Sequence, residues 1–250
     1  MQKTNKANIR LFVENELNIG QSVILNKDQM HYLFHVMKKA AGDFLCCLDN
    51  ISGEYLCQID AINKKECRIS VCEKTRSYSQ SPDIWLMFAP VKKDNTDFII
   101  QKSTELGSRK LIPVSTQRSI SEKIKKERFL SQAIEASEQC RRLDLPEVSD
   151  ITPLPNILKN WDKTRVLFYM DETLIGKDAK TVFSDKSLQN KPAAILVGPE
   201  GGFSEEEFKL LRSLPYAIGV TLGSRILRAE TAVVAALSCW QSMLGDWQNV

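Results

Sequence analysis

Two segments, Leu196 to Phe203 (LVGPEGGF) and Thr221 to Ala232 (TLGSRILRAETA), hold most of the residues whose types and spacing allow chemistry. In the first, Gly198, Gly201 and Gly202 leave the main chain bare around Glu200, so a ligand can approach amides and carbonyls closely. A tight strand-to-helix turn that uses glycine only for positive φ is the simpler account of one such cluster standing alone. The second segment shifts that balance. It again places a glycine, Gly223, after an apolar run, and it adds Arg225, Arg228 and Glu230 around Leu222, Ile226 and Leu227. Carboxylate beside guanidinium is either a structural salt bridge or a site for a charged ligand, where it can accept a proton and stabilise developing negative charge.

The elements that must position these residues are readable on either side of them. Ala193 to Val197 and Ala217 to Val220 are apolar runs that read as buried strands, and each loop opens a helix. Both loops are therefore expected at the carboxyl ends of neighbouring strands, where open α/β sheets bind ligands. Ser204 and Glu207 form an S-x-x-E capping box, with Phe203 placed to pack on Phe208 as a hydrophobic staple. After the second loop, Ala229, Ala232, Val233, Ala236, Leu237, Trp240 and Leu244 recur at helical spacing.

Upstream, the polar stretch Ser77 to Asp83 (SYSQSPD) reads as a linker, which predicts domains over residues 1–76 and 83–250. Before it, Ile9 to Val13, Val23 to Leu25, Phe44 to Leu48, Tyr55 to Ile59 and Cys67 to Val71 are short apolar or alternating runs that predict a small β domain. One helix interrupts them, with Met30, Leu33, Phe34 and Met37 on a shared face. Beyond the linker, strand-like runs (Ile84 to Ala89, Lys110 to Val114, Arg165 to Met170) alternate with helical patterns such as Asp97 to Leu106 and Glu122 to Arg142. That alternation implies a mainly parallel sheet with helices on both faces.

Several function classes lose support. No GxxxxGK[ST], no GxGxxG after a strand and no GxSxG elbow occurs, which argues against P-loop, ordinary Rossmann and α/β-hydrolase chemistry. Seven cysteines without a CxxC indicate neither a disulfide framework nor a zinc ribbon; Cys46, Cys57, Cys67, Cys72 and Cys239 read as small buried hydrophobes, and free thiols suit a reducing cytosol. His31 and His35 stand four apart but lack the HExxH glutamate and a third ligand, so no metal is expected. No run approaches membrane-spanning length and the first residues lack a signal-peptide core, so the expected location is cytoplasmic. Net charge is only +3, although Lys102 to Arg142 carries ten basic against five acidic residues, a stripe that fits phosphate neutralisation or a solvated helix face.

The pair LVGPEGGFSEEE and LGSRILRAETA resembles the signature of the RsmE-type 16S ribosomal RNA uracil-N(3) methyltransferases, S-adenosylmethionine-dependent enzymes of the SPOUT superfamily. The likeness extends in order through HYLFHVMKKAAGD (His31 to Asp43), APVKKDNTDFIIQKSTELG (Ala89 to Gly107), LIPVSTQRS (Leu111 to Ser119) and EASEQCRRLDLPEV (Glu135 to Val148). The chain departs from the pattern at His35, Lys38 and Asn95, where similar proteins usually carry arginine. The resemblance implies a PUA-like β-barrel, then a SPOUT-type trefoil-knotted parallel sheet, and a homodimer with the active site at its interface. It implies S-adenosylmethionine (SAM) bound by Gly198, Glu200, Gly201, Leu222, Gly223, Ile226 and Leu227, and 16S rRNA of the small subunit as substrate. Nitrogen 3 of uracil carries a proton and is a poor nucleophile, so Arg228 and Glu230 are the expected catalytic pair, with Arg118, Arg142, His35 and Lys38 expected to contact RNA. A ribose 2′-O-methyltransferase of the same superfamily and a non-catalytic RNA-binding or assembly protein are the alternatives.

Overall fold

The computed structural model describes residues 7–119 and 125–249. Two compact units emerge: Met1–Gln80 with Ser137–Leu145, and Ser81–Ala136 with Pro146–Val250.

In the first unit five strands, β1 (Arg10–Phe12), β2 (Ser22–Ile24), β3 (Phe44–Leu48), β4 (Gly53–Ile62) and β5 (Cys67–Ser77), form one mixed sheet in the order β1-β3-β4-β5-β2. Register shifts at Glu54/Tyr55, Leu56/Cys57 and Ile59/Ala61 let the two long strands bend, which wraps the sheet into a half-barrel around Leu17, Leu33, Leu45, Cys57 and Ile69. Helix α1 (Lys27–His31) starts at an Asn26/Gln29 capping box and passes into a π turn over Tyr32–Val36. That wider turn changes the expected face: Met30 and Leu33 are buried, Phe34 is half-buried, and Met37 is turned out to solvent. Residues 137–145 complete the unit, because the Arg10 guanidinium donates to Ser137 O and Glu138 O and pairs with buried Glu54 at 2.6 Å. Cys46, Cys47, Cys57 and Cys67 are core residues, and burial pushes the Cys46 and Cys67 thiols up to about 11; Cys72, expected inside, is exposed.

The second unit is built on β6 (Ile84–Phe88), α2 (Lys93–Glu105), β7 (Lys110–Ser115), α3 (Lys126–Cys140, whose last turn from Ser137 is counted with the first unit), β8 (Glu147–Val148), β9 (Thr152–Pro153), α4 (Leu154–Lys159), β10 (Val166–Met170), β11 (Lys177–Asp178), α5 (Ala179–Phe183), β12 (Ala193–Val197), α6 (Glu205–Ser213), β13 (Ala217–Thr221) and α7 (Ala229–Met243). Residues 122–124 of the helix expected from Glu122 lie outside the described residues. The sheet is parallel throughout, in the order β11-β13-β10-β12-β6-β7-β8, with β9 paired to β7.

Helices cover both faces, and period-two alternation assigns the side chains. Ile84, Leu86, Phe88, Ala193, Ile195 and Val197 pack against residues of α2, α3, α5 and α7; Met87, Ala89, Ala194 and Leu196 pack against residues of α4 and α6. All seven apolar residues expected to share the core face of α7 are buried, among them Trp240.

Strand β13 enters late in the chain between β10 and β11, which are joined by the short bridge 171–176. Asp171 N–H bonds Val220 O, and a Cβ on Gly176 would overlap the Gly219 main chain, so the bridge crosses β13 in direct contact.

Candidate functional site

Three loops meet at the carboxyl ends of β13, β10 and β12. The sequence placed β12 and β13 side by side; the sheet instead inserts β10 between them. The bridge 171–176 therefore stands between the two glycine loops and contributes a wall that sequence reasoning missed.

The first glycine loop is held from both sides. Glu207 closes the expected capping box, accepting from Ser204 N at 2.8 Å while Ser204 Oγ accepts from Glu207 N at 3.1 Å. Its other oxygen accepts from Gln117 N at 2.9 Å, and Phe203 meets Phe208 edge-on at 5.5 Å as the staple. A cap of this kind is worth about 1 kcal/mol. Arg118, expected to face RNA, is exposed but donates to Gly201 O at 3.0 Å and Phe203 O at 3.3 Å. Glu172 of the bridge accepts from Phe203 N at 3.0 Å. Gly202 has φ +69°, and any Cβ there would overlap the Glu172 carboxylate, so this carboxylate can approach only because residue 202 is glycine.

The second loop is freer. Gly223 has φ +97° and open space where a Cβ would stand, and Gly223, Arg225, Ile226 and Arg228 are exposed. Arg228 is the N-cap residue of α7 but makes no side-chain cap bond, so its guanidinium is not needed for the helix.

Between the loops lies a cavity of about 250 Å³. Its lining includes Gly198, Glu200, Leu222, Gly223, Ile226 and Leu227 of the seven expected cofactor residues; Gly201 is outside it, with Arg118 against its α-carbon. Arg228 lines the cavity as well, and so do Asp171, Glu172 and Leu174 from the bridge. Glu230 does not line it, and its Oε2 is buried without a hydrogen-bond partner.

The two bridge carboxylates differ. Asp171, 3 % exposed, accepts from Thr173 N at 2.9 Å and Thr173 Oγ1 at 2.5 Å, and its second oxygen lies 3.6 Å from the Arg212 guanidinium. Glu172 is half-buried, and burial raises its carboxyl above the usual range, against the pull of the Phe203 amide and of Arg118.

The remaining expected residues belong to the first unit. His35 and Lys38 are exposed at the end of the α1–π helix, where Lys38 adopts φ +52° and the His31 and His35 rings lie 4.8 Å apart. Arg142, expected to contact RNA, directs its guanidinium to a neighbour instead. Its guanidinium makes two bonds to Asp144, at 3.0 and 2.8 Å, with the side chains only 7 % and 4 % exposed. A bidentate pair out of water satisfies the charge internally.

Comparison with known proteins places this geometry. Residues 79–241 match the RNA methyltransferase domain family and residues 25–72 the RNA methyltransferase PUA domain. Ribosomal RNA small subunit methyltransferase E of Bacillus subtilis is 31 % identical over 92 % of this chain and 94 % of its own, and that of Rickettsia conorii 30 % identical over 92 % and 93 %. A crystal structure of ribosomal RNA small subunit methyltransferase E from Neisseria gonorrhoeae, bound to S-adenosyl methionine, superposes with a TM-score of 0.86 at 26 % identity, covering 96 % of this chain and 99 % of that one. A family match over residues 79–241 and relatives of this identity over nine-tenths of both chains show that the chain belongs to the RNA methyltransferase family that includes ribosomal RNA small subunit methyltransferase E.

Proposed function

We propose that this protein transfers the methyl group of SAM to nitrogen 3 of a uridine in 16S rRNA of the small ribosomal subunit. The observation that carries the reading is the cavity between the two glycine loops, in a chain whose relatives bear the name of a ribosomal RNA small subunit methyltransferase and include one crystallised with SAM. The residues fit the donor. Gly223 leaves room for close main-chain approach, Leu222, Ile226 and Leu227 offer apolar contact, and Glu172 offers negative charge.

When bound, SAM supplies an electrophilic methyl on a sulfonium; the protein's task is to orient the base and manage its proton. Arg228, exposed at the cavity edge, stabilises the negative charge that grows on the uracil carbonyls as nitrogen 3 loses its proton. Glu230 is the proposed acceptor of that proton; it stands two residues after Arg228, outside the cavity lining, with its Oε2 without a hydrogen-bond partner. Arg118 and Glu172 fix the first glycine loop through its carbonyls and an amide. His35 and Lys38 supply RNA contacts on the first unit, and a net charge of +3 favours shape-dependent recognition of an assembled particle over nonspecific binding to naked RNA. The site of action is the cytoplasm; among the described residues no helix is long and apolar enough to cross a membrane.

Mass spectrometry of 16S rRNA from cells lacking the protein tests this reading. One N(3)-methyluridine should disappear. Loss of a ribose 2′-O-methyl group would favour the other superfamily specificity, and an unchanged modification pattern would favour a non-catalytic assembly role.

The proposed oligomer is a homodimer formed through the second unit. Trp240 is buried in that unit's own core and cannot anchor a partner, whereas Trp247 is 48 % exposed and Met243 is exposed beside it in sequence. Light scattering should return twice the monomer mass at micromolar concentration, and Trp247→Ala should shift the protein toward monomer. A monomer for the unmodified chain would contradict the assignment.

A further inference from the structure

The cavity has an acidic wall whose charges are unequally balanced. Asp171 has a cation beside it: Oδ1 accepts from Thr173, and Oδ2, which no hydrogen bond reaches, lies 3.6 Å from the Arg212 guanidinium. Glu200, on the opposite loop, is exposed, so water screens it. Glu172 has neither arrangement. It is half-buried, it receives one amide bond from Phe203, and among the described residues it has no ion-pair partner within 4 Å. Arg118, the cation whose field reaches it, spends its guanidinium on the carbonyls of Gly201 and Phe203.

An amide would accept the same Phe203 bond without the cost of desolvating a charge. A glutamate in this position makes sense when the cavity's occupant brings the compensating positive charge.

We propose that Glu172 is a specificity-determining residue: its carboxylate makes the cavity prefer a cationic adenosyl donor, the sulfonium of SAM, over the neutral thioether left after transfer. The inference rests on the reading of the cavity as the donor site. A carboxylate and a sulfonium attract more strongly in a partly desolvated pocket than in water. The attraction vanishes when the methyl leaves, because the sulfur then carries no charge, so the same residue that helps load the donor helps release the product.

Calorimetry with the full chain tests this, using three probes: SAM, S-adenosylhomocysteine, and sinefungin, whose amine restores a positive charge without a transferable methyl. Glu172→Gln keeps an acceptor for Phe203 N and removes only the charge. It should weaken SAM and sinefungin by roughly tenfold and leave S-adenosylhomocysteine within about twofold, with the melting temperature unchanged or raised because a desolvated charge is gone. Glu172→Asp, which retains the charge one methylene further back, should recover part of the preference. Product inhibition should become stronger relative to donor affinity in Glu172→Gln. Equal weakening of all three probes would assign Glu172 to loop positioning and overturn the proposal, as would unchanged affinities. An unmodified protein that binds none of the probes would overturn the donor-site reading itself, a separate result from equal weakening in the variant.

Discussion

A Gly223→Val variant should lose SAM binding by at least about a hundredfold while keeping its fold. Gly223 lines the cavity with φ +97° and, its chain neighbours aside, no atom within 4 Å of the Cβ position, so a side chain there enters open space that a ligand needs. Its cost to the fold is the left-handed backbone, about 1–2 kcal/mol for an L-residue. That loss is small beside the binding effect. Calorimetry with SAM and a thermal melt, run together, check it: near-normal melting with abolished binding is expected, and near-normal affinity would move the donor elsewhere. Gly202→Ala is expected to act differently, because its Cβ would overlap the Glu172 carboxylate and disturb the protein before any ligand arrives.

The second large effect concerns turnover. Arg228→Ala removes an exposed guanidinium that makes no capping bond, so stability should hardly change. If Arg228 stabilises charge that develops only during transfer, single-turnover methylation should fall by about 10²–10³, the usual cost of removing one such donor, with a much smaller change in SAM affinity. Arg228→Lys should recover only part of the rate, since a point charge does not reproduce a planar fork. A rate within a few fold of the unmodified protein would remove Arg228 from the chemistry.

Much of this architecture could be read from local pattern. Strand β12 is an unbroken apolar run and spans the predicted residues Ala193–Val197; α7 declares its core face through spacing; the capping box fixes α6. What escaped is what tertiary structure decides. Helices α4 and α5, six and five residues long, are too short to carry a readable period. The bridge 171–176 looks like an ordinary polar loop, and only the late insertion of β13 beside β10 makes Asp171 and Glu172 part of the cavity. Arg142 looked like one more cation in a basic stripe. Its partner, Asp144, stands two residues away, but a pairing that short on a helix exit cannot be told from solvated charge without knowing that both side chains are buried. Trp240 and Trp247 are alike in sequence and opposite in environment, because the helical period places Trp240 on the core face while Trp247 lies beyond the helix end.

Methyl transfer to nitrogen 3 of uridine is read out by following the label from donor to nucleoside. Purified protein is incubated with methyl-labelled SAM and small ribosomal subunits lacking the modification, and the rRNA is digested to nucleosides and separated. The label should appear in N(3)-methyluridine; label in a ribose 2′-O-methyl nucleoside, or no transfer at all, would contradict the account.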